Sequence, residues 1–486
     1  MDEVVYLYQY LIFFYSFLLT VIYISLAGFA YINILRTKRK YTSKEEDDLK
    51  LMPEIAPGIS VVAPAYNEEV IIIDNVKSLM GLDYPNFEVV IVNDGSKDKT
   101  LELLIDEFEL VEIPFPYIQK VACQPVKRIF RSTNEKFKRL SVVDKENGGT
   151  KADAMNAGVN IAQYDYFINT DVDCILARDT LSKVILPVLD SNVTVIAVGA
   201  TMRMVNSCEL EHSVMKRVRP PRRIIPLFQE TEYLRSYLLA KMGWSFFNIL
   251  QNVSGGFGLF YKPVVIESGG FDPLSHAEDM DMTFRMIAYM MDNKKKYKIV
   301  QIPDTCCWTE GPPNVKVLNR QRSRWGRGLL QIFFVHRRFL FNRKYGRLGL
   351  WIMPYALVFE FLAPIIEFTG FFFLVFLTLT DQINYSTFWL MLIFVYLIGI
   401  TVSLVAIFFD LMTKKLYNNY TEYLKLVLFS SFEAFLYHPL IVIFTLKGYF
   451  DFLTRKNFSW GDMTRQGFTQ TESSTSIPRT DSIDIK

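Results

Sequence analysis

Apolar positions are clustered along this chain, not spread through it. Residues 4–35 are almost continuously apolar, and three further runs lie near the other end, at about 349–379, 387–409 and 426–446. A helix of about 20 such residues spans a bilayer. Between the clusters, residues 53–315 mix polar and apolar positions as a folded domain does. Residues 59–63 (ISVVA) and 88–92 (EVVIV) are β-branched runs, ending at Pro64 and at Asn93-Asp94-Gly95-Ser96. Residues 67–79 between them place Val70, Ile71, Val76 and Leu79 at helical spacing. Residues 151–162 repeat that spacing and lead into 166–169 (YFIN), which stops at Thr170-Asp171-Val172-Asp173. Alternating strands and helices predict βαβ units and a parallel sheet. The expected architecture is an α/β domain flanked by transmembrane helices.

Charges at the ends of the apolar runs predict orientation. Arg36, Lys38, Arg39 and Lys40 follow the first run, which makes that flank cytoplasmic and puts the N-terminal end outside. No small-residue cleavage site follows, so the run reads as an anchor, not a removable signal peptide. Lys414 and Lys415 place the loop between the last two runs inside, and residues 381–386 carry no positive charge, as expected outside. Four spans would leave the C-terminal end outside, yet Lys447, Arg455, Lys456 and Arg465 favour the inside. One run is therefore expected to be re-entrant or interfacial, with Pro364, Glu367 and Pro439 as the weak points. Residues 326–341 mix Leu329, Leu330, Ile332, Phe333, Phe334 and Val335 with Arg337 and Arg338, the pattern of an amphipathic helix on the cytoplasmic surface. The expected organisation is an anchor over 1–40, a globular domain over 53–315, interfacial helices over 316–346, membrane segments over 347–450 and a polar, disordered tail over 451–486.

Composition narrows the classes. Of 486 residues, 50% are apolar and 15% aromatic, with Phe alone at 40, which excludes a disordered chain. Lys and Arg number 53 against 51 Asp and Glu; a net charge of +2 excludes a general nucleic-acid binder. Five scattered cysteines without a CxxC pair give no disulfide framework, and four histidines without paired spacing predict no His-ligated metal.

Carboxylates at expected strand ends carry the candidate chemistry, because ligands of open α/β sheets sit beyond the carboxyl ends of the strands. Asp171 and Asp173 are alternate residues at such an end and can aim at one divalent cation, Mg²⁺ or Mn²⁺, shared with a diphosphate. A solvated turn uses the same residues. Asp94 reads either as a tight turn or as a carboxylate for a nucleotide base or ribose. Lys151, behind Gly148 and Gly149, reads either as a phosphate-neutralising group at a helix start or as a solvated helix start. Glu278 and Asp279 offer a general base toward an acceptor hydroxyl, or simply favourable charge at a helix N-terminus. Arg324 and Trp325 can hold a diphosphate and a sugar, or anchor a membrane-surface helix. A basic cluster, Lys216, Arg217, Arg219, Arg222 and Arg223, is expected at anionic headgroups.

In this order and spacing the motifs resemble those of family 2 glycosyltransferases with a GT-A fold, particularly membrane-embedded processive β-synthases such as cellulose, hyaluronan, chitin-oligosaccharide and poly-N-acetylglucosamine synthases. The resemblance covers about residues 57–330. It rests on Pro64-Ala65-Tyr66-Asn67-Glu68, Asn93-Asp94-Gly95-Ser96, Lys151-Ala152-Asp153-Ala154, Asp171-Val172-Asp173, Ser254-Gly255-Gly256-Phe257-Gly258, Glu278-Asp279 and the QxxRW pattern of Gln321, Arg324 and Trp325.

The resemblance implies a Rossmann-like, mostly parallel GT-A sheet and an inverting transfer from a UDP-sugar. Tyr66, Glu68 and Asp94 would contact the uridine, Lys151 the nucleotide or phosphates, and Asp171 the donor. Asp173 would bind Mg²⁺ or Mn²⁺, and Asp279, with Glu278 beside it, would be the general base. Gln321, Arg324 and Trp325 would hold the diphosphate and the acceptor end. The resemblance further implies a multi-pass plasma (inner) membrane protein with a cytoplasmic catalytic domain, lipid contacts and a glycan acceptor. Thr150 looks like an extra residue before Lys151, and Asn93 stands where many members have a second Asp. The small C-terminal membrane region leads us to expect a pore shared with a small partner subunit or a second copy. Three other readings stay open: a non-processive transferase acting on a lipid, a catalytically idle nucleotide- or glycan-binding membrane subunit, and a transporter with a regulatory insert.

Overall fold

The computed structural model describes residues 2–454 except Met52 and Phe115. The expected tail falls almost wholly outside the described residues, and its first three positions belong to the helix His438–Leu453.

Twelve strands are described: β1 (Ile59–Ala65), β2 (Phe87–Asn93), β3 (Leu110–Glu112), β4 (Val126–Ser132), β5 (Leu140–Lys145), β6 (Tyr166–Thr170), β7 (Ile175–Leu176), β8 (Thr194–Met204), β9 (Glu209–Glu211), β10 (Val214–Arg217), β11 (Phe257–Tyr261) and β12 (Tyr297–Thr309). Ten form one sheet in the order β3-β4-β5-β2-β1-β6-β11-β8-β12-β7, and β9 and β10 form a separate hairpin. The sheet is mixed. β5, β2, β1 and β6 are parallel, as the βαβ pattern predicts. Antiparallel β4 flanks β5, and antiparallel β11 joins β6 to β8. The mostly parallel expectation thus describes the centre of the sheet and not its flanks.

The central strands are buried on both faces, so their side chains alternate between two cores. Val61, Ala63, Val89 and Ile91 face one core, while Val62, Val90, Val92 and Phe167 face the other. Each of the three expected strands runs one or two residues further than its apolar run. The helix expected over 67–79 begins only at Ile72. Residue Asn67 has φ 56°, and its N–H and Oδ1 bond Ser96 Oγ and the Lys97 N–H at 3.0 and 2.8 Å. That pairing of two loops replaces the first helical turn.

Among the described residues, three helices are long and apolar enough to cross a membrane: Tyr6–Lys40, Leu348–Leu379 and Tyr385–Thr413. The run expected over 426–446 is two helices, Tyr420–Leu436 and His438–Leu453, bent by 50° just before Pro439. Over 316–346 the chain forms the helix Val315–His336 and two short 3₁₀ turns. This helix crosses His438–Leu453 at glycines: a Cβ at Gly326 would lie 2.6 Å from Thr445 O, and one at Gly448 2.3 Å from Ser323 O.

Buried charge ties the sheet to the membrane helices. Arg203, fully buried on β8, pairs with Glu230 and, at 2.5 Å, with Asp410 of the helix Tyr385–Thr413. Tyr417 Oη accepts from the same guanidinium at 2.8 Å. Arg235 donates to Glu433 at 2.6 Å and to Ser403 Oγ at 2.8 Å. Of the basic residues expected at headgroups, three are paired within the protein: Lys216 with Glu211, Arg219 with Glu209 and Arg217, more loosely, with Glu422.

Candidate active site

The strand ends of the parallel core open on one edge of the sheet. Tyr66 and Glu68 follow β1; Tyr66 is 40% exposed, whereas Glu68 is buried and its N–H donates to Thr100 Oγ1 at 2.8 Å. Asp94 follows β2 and is buried. Its Oδ1 accepts from the Gly148 N–H at 3.0 Å and lies 2.5 Å from Lys145 Nζ. Lys145 ends β5, is fully buried, and also lies 2.5 Å from Asp153 Oδ2. The glycine turn 148–149 is thereby held against Asp94 and delivers Lys151 at the helix start. Thr150, which looked like an insertion, is the N-cap of that helix: its Oγ1 accepts from the Asp153 N–H at 3.4 Å.

Lys151 is the hub. Its ammonium pairs with Asp171 and donates to Gly255 O at 2.6 Å. Burial works to lower its pKa, but Asp171 and Glu278 outweigh burial and raise it, so the amine stays charged. Asp171 and Asp173 flank Val172 in the turn after β6, and one atom each of Asp171, Asp173 and Cys174 lie within 4.8 Å of one another. Two carboxylates are the donors Mg²⁺ and Mn²⁺ prefer, so the residues fit the expected cation.

Gly255 joins this cluster to the second carboxylate pair. Its N–H donates to Asp279 Oδ2 at 3.1 Å, and Asn252 Nδ2 donates to the same oxygen at 3.0 Å. A Cβ at Gly255 would lie 3.1 Å from Glu278 Oε1, and one at Gly256 would lie 2.8 Å from Met202. Only a strip of bare backbone fits between Asp171 and the Glu278–Asp279 pair. Burial and the adjacent Asp279 raise the Glu278 pKa, against the pull of Arg324 and Lys151. Lys241 also feels Asp279; burial lowers its pKa to about 8.

The helix Val315–His336 closes the site from the membrane side. Gln331 accepts from the His276 N–H at 2.8 Å, and His336 bonds Asp281 at 2.7 Å, which fixes the start of the helix Glu278–Asp292. Arg324 acts on Glu278, and together with burial and Arg327 it lowers the His276 pKa. Gln321 Oε1 accepts from Gln229 Nε2 at 3.2 Å. Trp325 is 36% exposed with the Arg322 guanidinium 4.3 Å above its ring, and Arg322 is itself clamped bidentately by Glu232 at 2.5 and 2.7 Å.

Lysine, glycine and both carboxylate pairs therefore converge, with Arg324 in electrostatic reach. Asp94 connects to them through the 148–151 turn. Sequence reasoning missed Lys145, Asn252 and Lys241, and passed over Arg322 inside its own motif. Lys145 was findable in principle, because a buried Asp94 requires a buried counter-charge.

A family model described as glycosyl transferase family 2 matches residues 60–118 and 124–250, and one described as glycosyl transferase family group 2 matches residues 213–412. The chain belongs to the family 2 glycosyltransferases. The first model spans the strand ends that carry Asp94 and Asp171, and the second spans Asp279 and the QxxRW helix. The chain is similar to poly-beta-1,6-N-acetyl-D-glucosamine synthases of Staphylococcus epidermidis (28% identical over 308 residues, 63% of this chain) and Staphylococcus aureus (24% over 328 residues, 66% of this chain). The match covers 62% and 66% of those relatives' own lengths. Among solved structures, a mannosyltransferase from Pyrobaculum calidifontis in complex with GDP-Man and Mn²⁺ aligns at 18% identity with a TM-score of 0.47, over 90% of this chain and 100% of its own. With its apolar helices this family 2 chain is a membrane protein.

Proposed function

We propose that this chain is an inverting glycosyltransferase that adds N-acetylglucosamine from its UDP conjugate to the growing end of a β-linked polysaccharide at the cytoplasmic face of the plasma membrane. The observation that carries this reading is the convergence of Lys151, Asp171, Gly255 and the Glu278–Asp279 pair in one crevice. The sugar is proposed from the names of the relatives. The acceptor hydroxyl attacks the anomeric carbon while Asp279 takes its proton, and the bond to the diphosphate breaks with UDP leaving on its electron pair. Backbone and Asn252 bonds to Asp279 Oδ2 orient the carboxylate for that transfer. Lys151 neutralises charge developing on the diphosphate, and Tyr66, Glu68 and Asp94 seat the uridine. A divalent cation held by Asp171 and Asp173 would supply further charge to the leaving group. Arg324 assists from the other side, with Gln321 and Trp325 toward the acceptor.

Polymer is preferred over a lipid product because the membrane helices carry polar side chains that pair with one another. Tyr8 donates to Thr369 at 2.8 Å, and Glu367 meets His438 at 2.6 Å. Such groups are costly in lipid and mark a polar path. Three spans and a bent pair that returns to the inner face would place both Lys414 and the C-terminal end inside, in line with their charge.

The test is UDP release by detergent-purified protein, with Mn²⁺ or Mg²⁺, across UDP-N-acetylglucosamine, UDP-glucose, UDP-galactose and UDP-glucuronate, followed by product sizing. Release with the first donor, a ladder of oligomers, and a fall of about 10²- to 10⁴-fold in Asp279→Asn are expected. A single sugar on lipid would overturn the polymer reading. Unchanged turnover in Asp279→Asn would overturn its role as base.

A further inference from the structure

A buried asparagine lies behind the Asp171–Asp173 turn. Helix Ile72–Met80 is amphipathic and buries Ile72, Val76 and Leu79, yet Asn75 on the same face is only 1% exposed. An amide in such a place is costly unless its hydrogen bonds are made. Here they are made to two specific places. Nδ2 donates to the carbonyl of Val172, between the two carboxylates, at 2.7 Å. Oδ1 accepts from Ser213 Oγ at 2.8 Å. Ser213 O in turn accepts from Ser78 Oγ, one helical turn beyond Asn75, at 2.9 Å.

Ser213 belongs to the tight turn between β9 and β10, and the turn is strained. His212 and Ser213 have φ 47° and 56°, left-handed values that L side chains adopt at a cost. Two successive residues are held in this conformation where the turn reaches Asn75. The helix itself begins just after the loop that carries Tyr66 and Glu68.

We propose that Asn75 is a positioning residue that sets the Asp171–Val172–Asp173 turn for divalent-cation binding, with Ser213 locking the amide in the donating orientation. This rests on the metal-dependent reading above. The Val172 carbonyl can point only one way when it accepts from Asn75, so the two flanking carboxylates share one face of the turn. Because the same helix follows the uridine-side loop, the nucleotide and the cation are set by one rigid element.

The experiment is Mn²⁺ binding to the full-length, detergent-purified protein, read by electron paramagnetic resonance of free Mn²⁺ with UDP present, beside thermal unfolding. Asn75→Asp keeps the acceptor for Ser213 and loses the donor to Val172; Asn75→Ala loses both; Ser213→Ala loses only the lock. Supporting partners of metal ligands are typically worth about 10- to 100-fold in metal affinity. The expected result is a Mn²⁺ dissociation constant raised about tenfold in both Asn75 variants and less in Ser213→Ala, with the donor KM recovering at saturating Mn²⁺. Unchanged Mn²⁺ affinity with a lowered melting temperature would make Asn75 a purely structural amide and overturn the proposal. If the Asn75 variants do not fold, Ser213→Ala decides alone: weaker Mn²⁺ binding supports the lock, and unchanged binding overturns it. Wild-type protein that binds no Mn²⁺ would instead overturn the metal-dependent reading itself.

Discussion

The donor side and the membrane side of the crevice are built by different physics. On the proposed donor side, Asp94 and Asp171 stand at the ends of β2 and β6, the two parallel strands that flank β1, and the sheet brings them to one edge without further instruction. On the membrane side, buried charges join segments remote in sequence: Arg203 reaches Asp410 across 207 positions, Arg235 reaches Glu433 across 198 and Arg322 reaches Glu232 across 90. Lipid gives apolar helices no reason to choose one another, so packing and specific polar contacts must do the choosing. A catalytic sheet can find its own strand order, but its docking on a membrane bundle has to be specified pair by pair.

The largest expected effect separates the two sides. Arg203→Ala leaves Glu230 and Asp410 buried without their shared cation, and breaking a buried pair costs about 3–5 kcal/mol. Lys77→Ala, on the helix Ile72–Met80, removes the partner of Glu107 from a pair whose side chains are 41% and 43% exposed. An exposed pair is worth about 0–1 kcal/mol. Thermal unfolding of both variants in the same detergent checks the contrast. Equal losses would mean that the membrane side is not held by its ion pairs.

A smaller effect is expected where the QxxRW helix crosses its neighbour. Gly448→Leu drives a side chain into the Ser323 carbonyl, and overpacking of this kind costs about 1–3 kcal/mol. Because the strain falls on the helix that carries Arg324, shorter products and a raised acceptor KM are expected while the affinity for UDP holds. Weakened UDP binding would show that the crossing also supports the donor side.

The same division explains what could be read in advance. The strand ends were legible because β-branched runs stopping at Asp or Asn announce both a strand and the place where it ends. The gathering of Lys151, Asp171 and Asp279 was legible in part, because residues at strand ends meet at one edge of an open sheet. Asn67 was misread as helical, since its pairing with the 96–98 loop is a contact between loops that no periodicity records. Lys145 carried no expectation, and only the structure shows it closed between Asp94 and Asp153. Arg203 carried no expectation: its partners Glu230 and Asp410 lie on two different helices, one of them a membrane helix, and no local pattern joins them. The antiparallel flanks of the sheet were missed for the same reason, because β11 is placed by pairing and not by pattern.

The smallest effect concerns pH and again sets two groups against each other. Glu278 is pushed above its ordinary 4.5 by burial and by Asp279. Between that ordinary value and the raised one, the native state holds a proton that the unfolded chain has lost, so stability falls as pH climbs through the window. Above the window the ionised Glu278 is a burden that Arg324 and Lys151 offset only in part. Glu278→Gln removes the burden. The variant should melt higher than the parent at neutral pH, and the difference should shrink as pH is lowered and vanish below about 4.5. Asp281, three residues on, has the opposite sign: despite burial, His336 and Arg285 hold its pKa below the usual 3.8. Asp281→Asn should therefore melt lower than the parent at neutral pH, with the gap closing only in strong acid. Melting curves of the three proteins from neutral to acidic pH provide the check. A Glu278→Gln variant no more stable than the parent at neutral pH would mean that the Glu278 carboxylate is not confined against Asp279, and the crevice would have to be wider than the Gly255 strip allows.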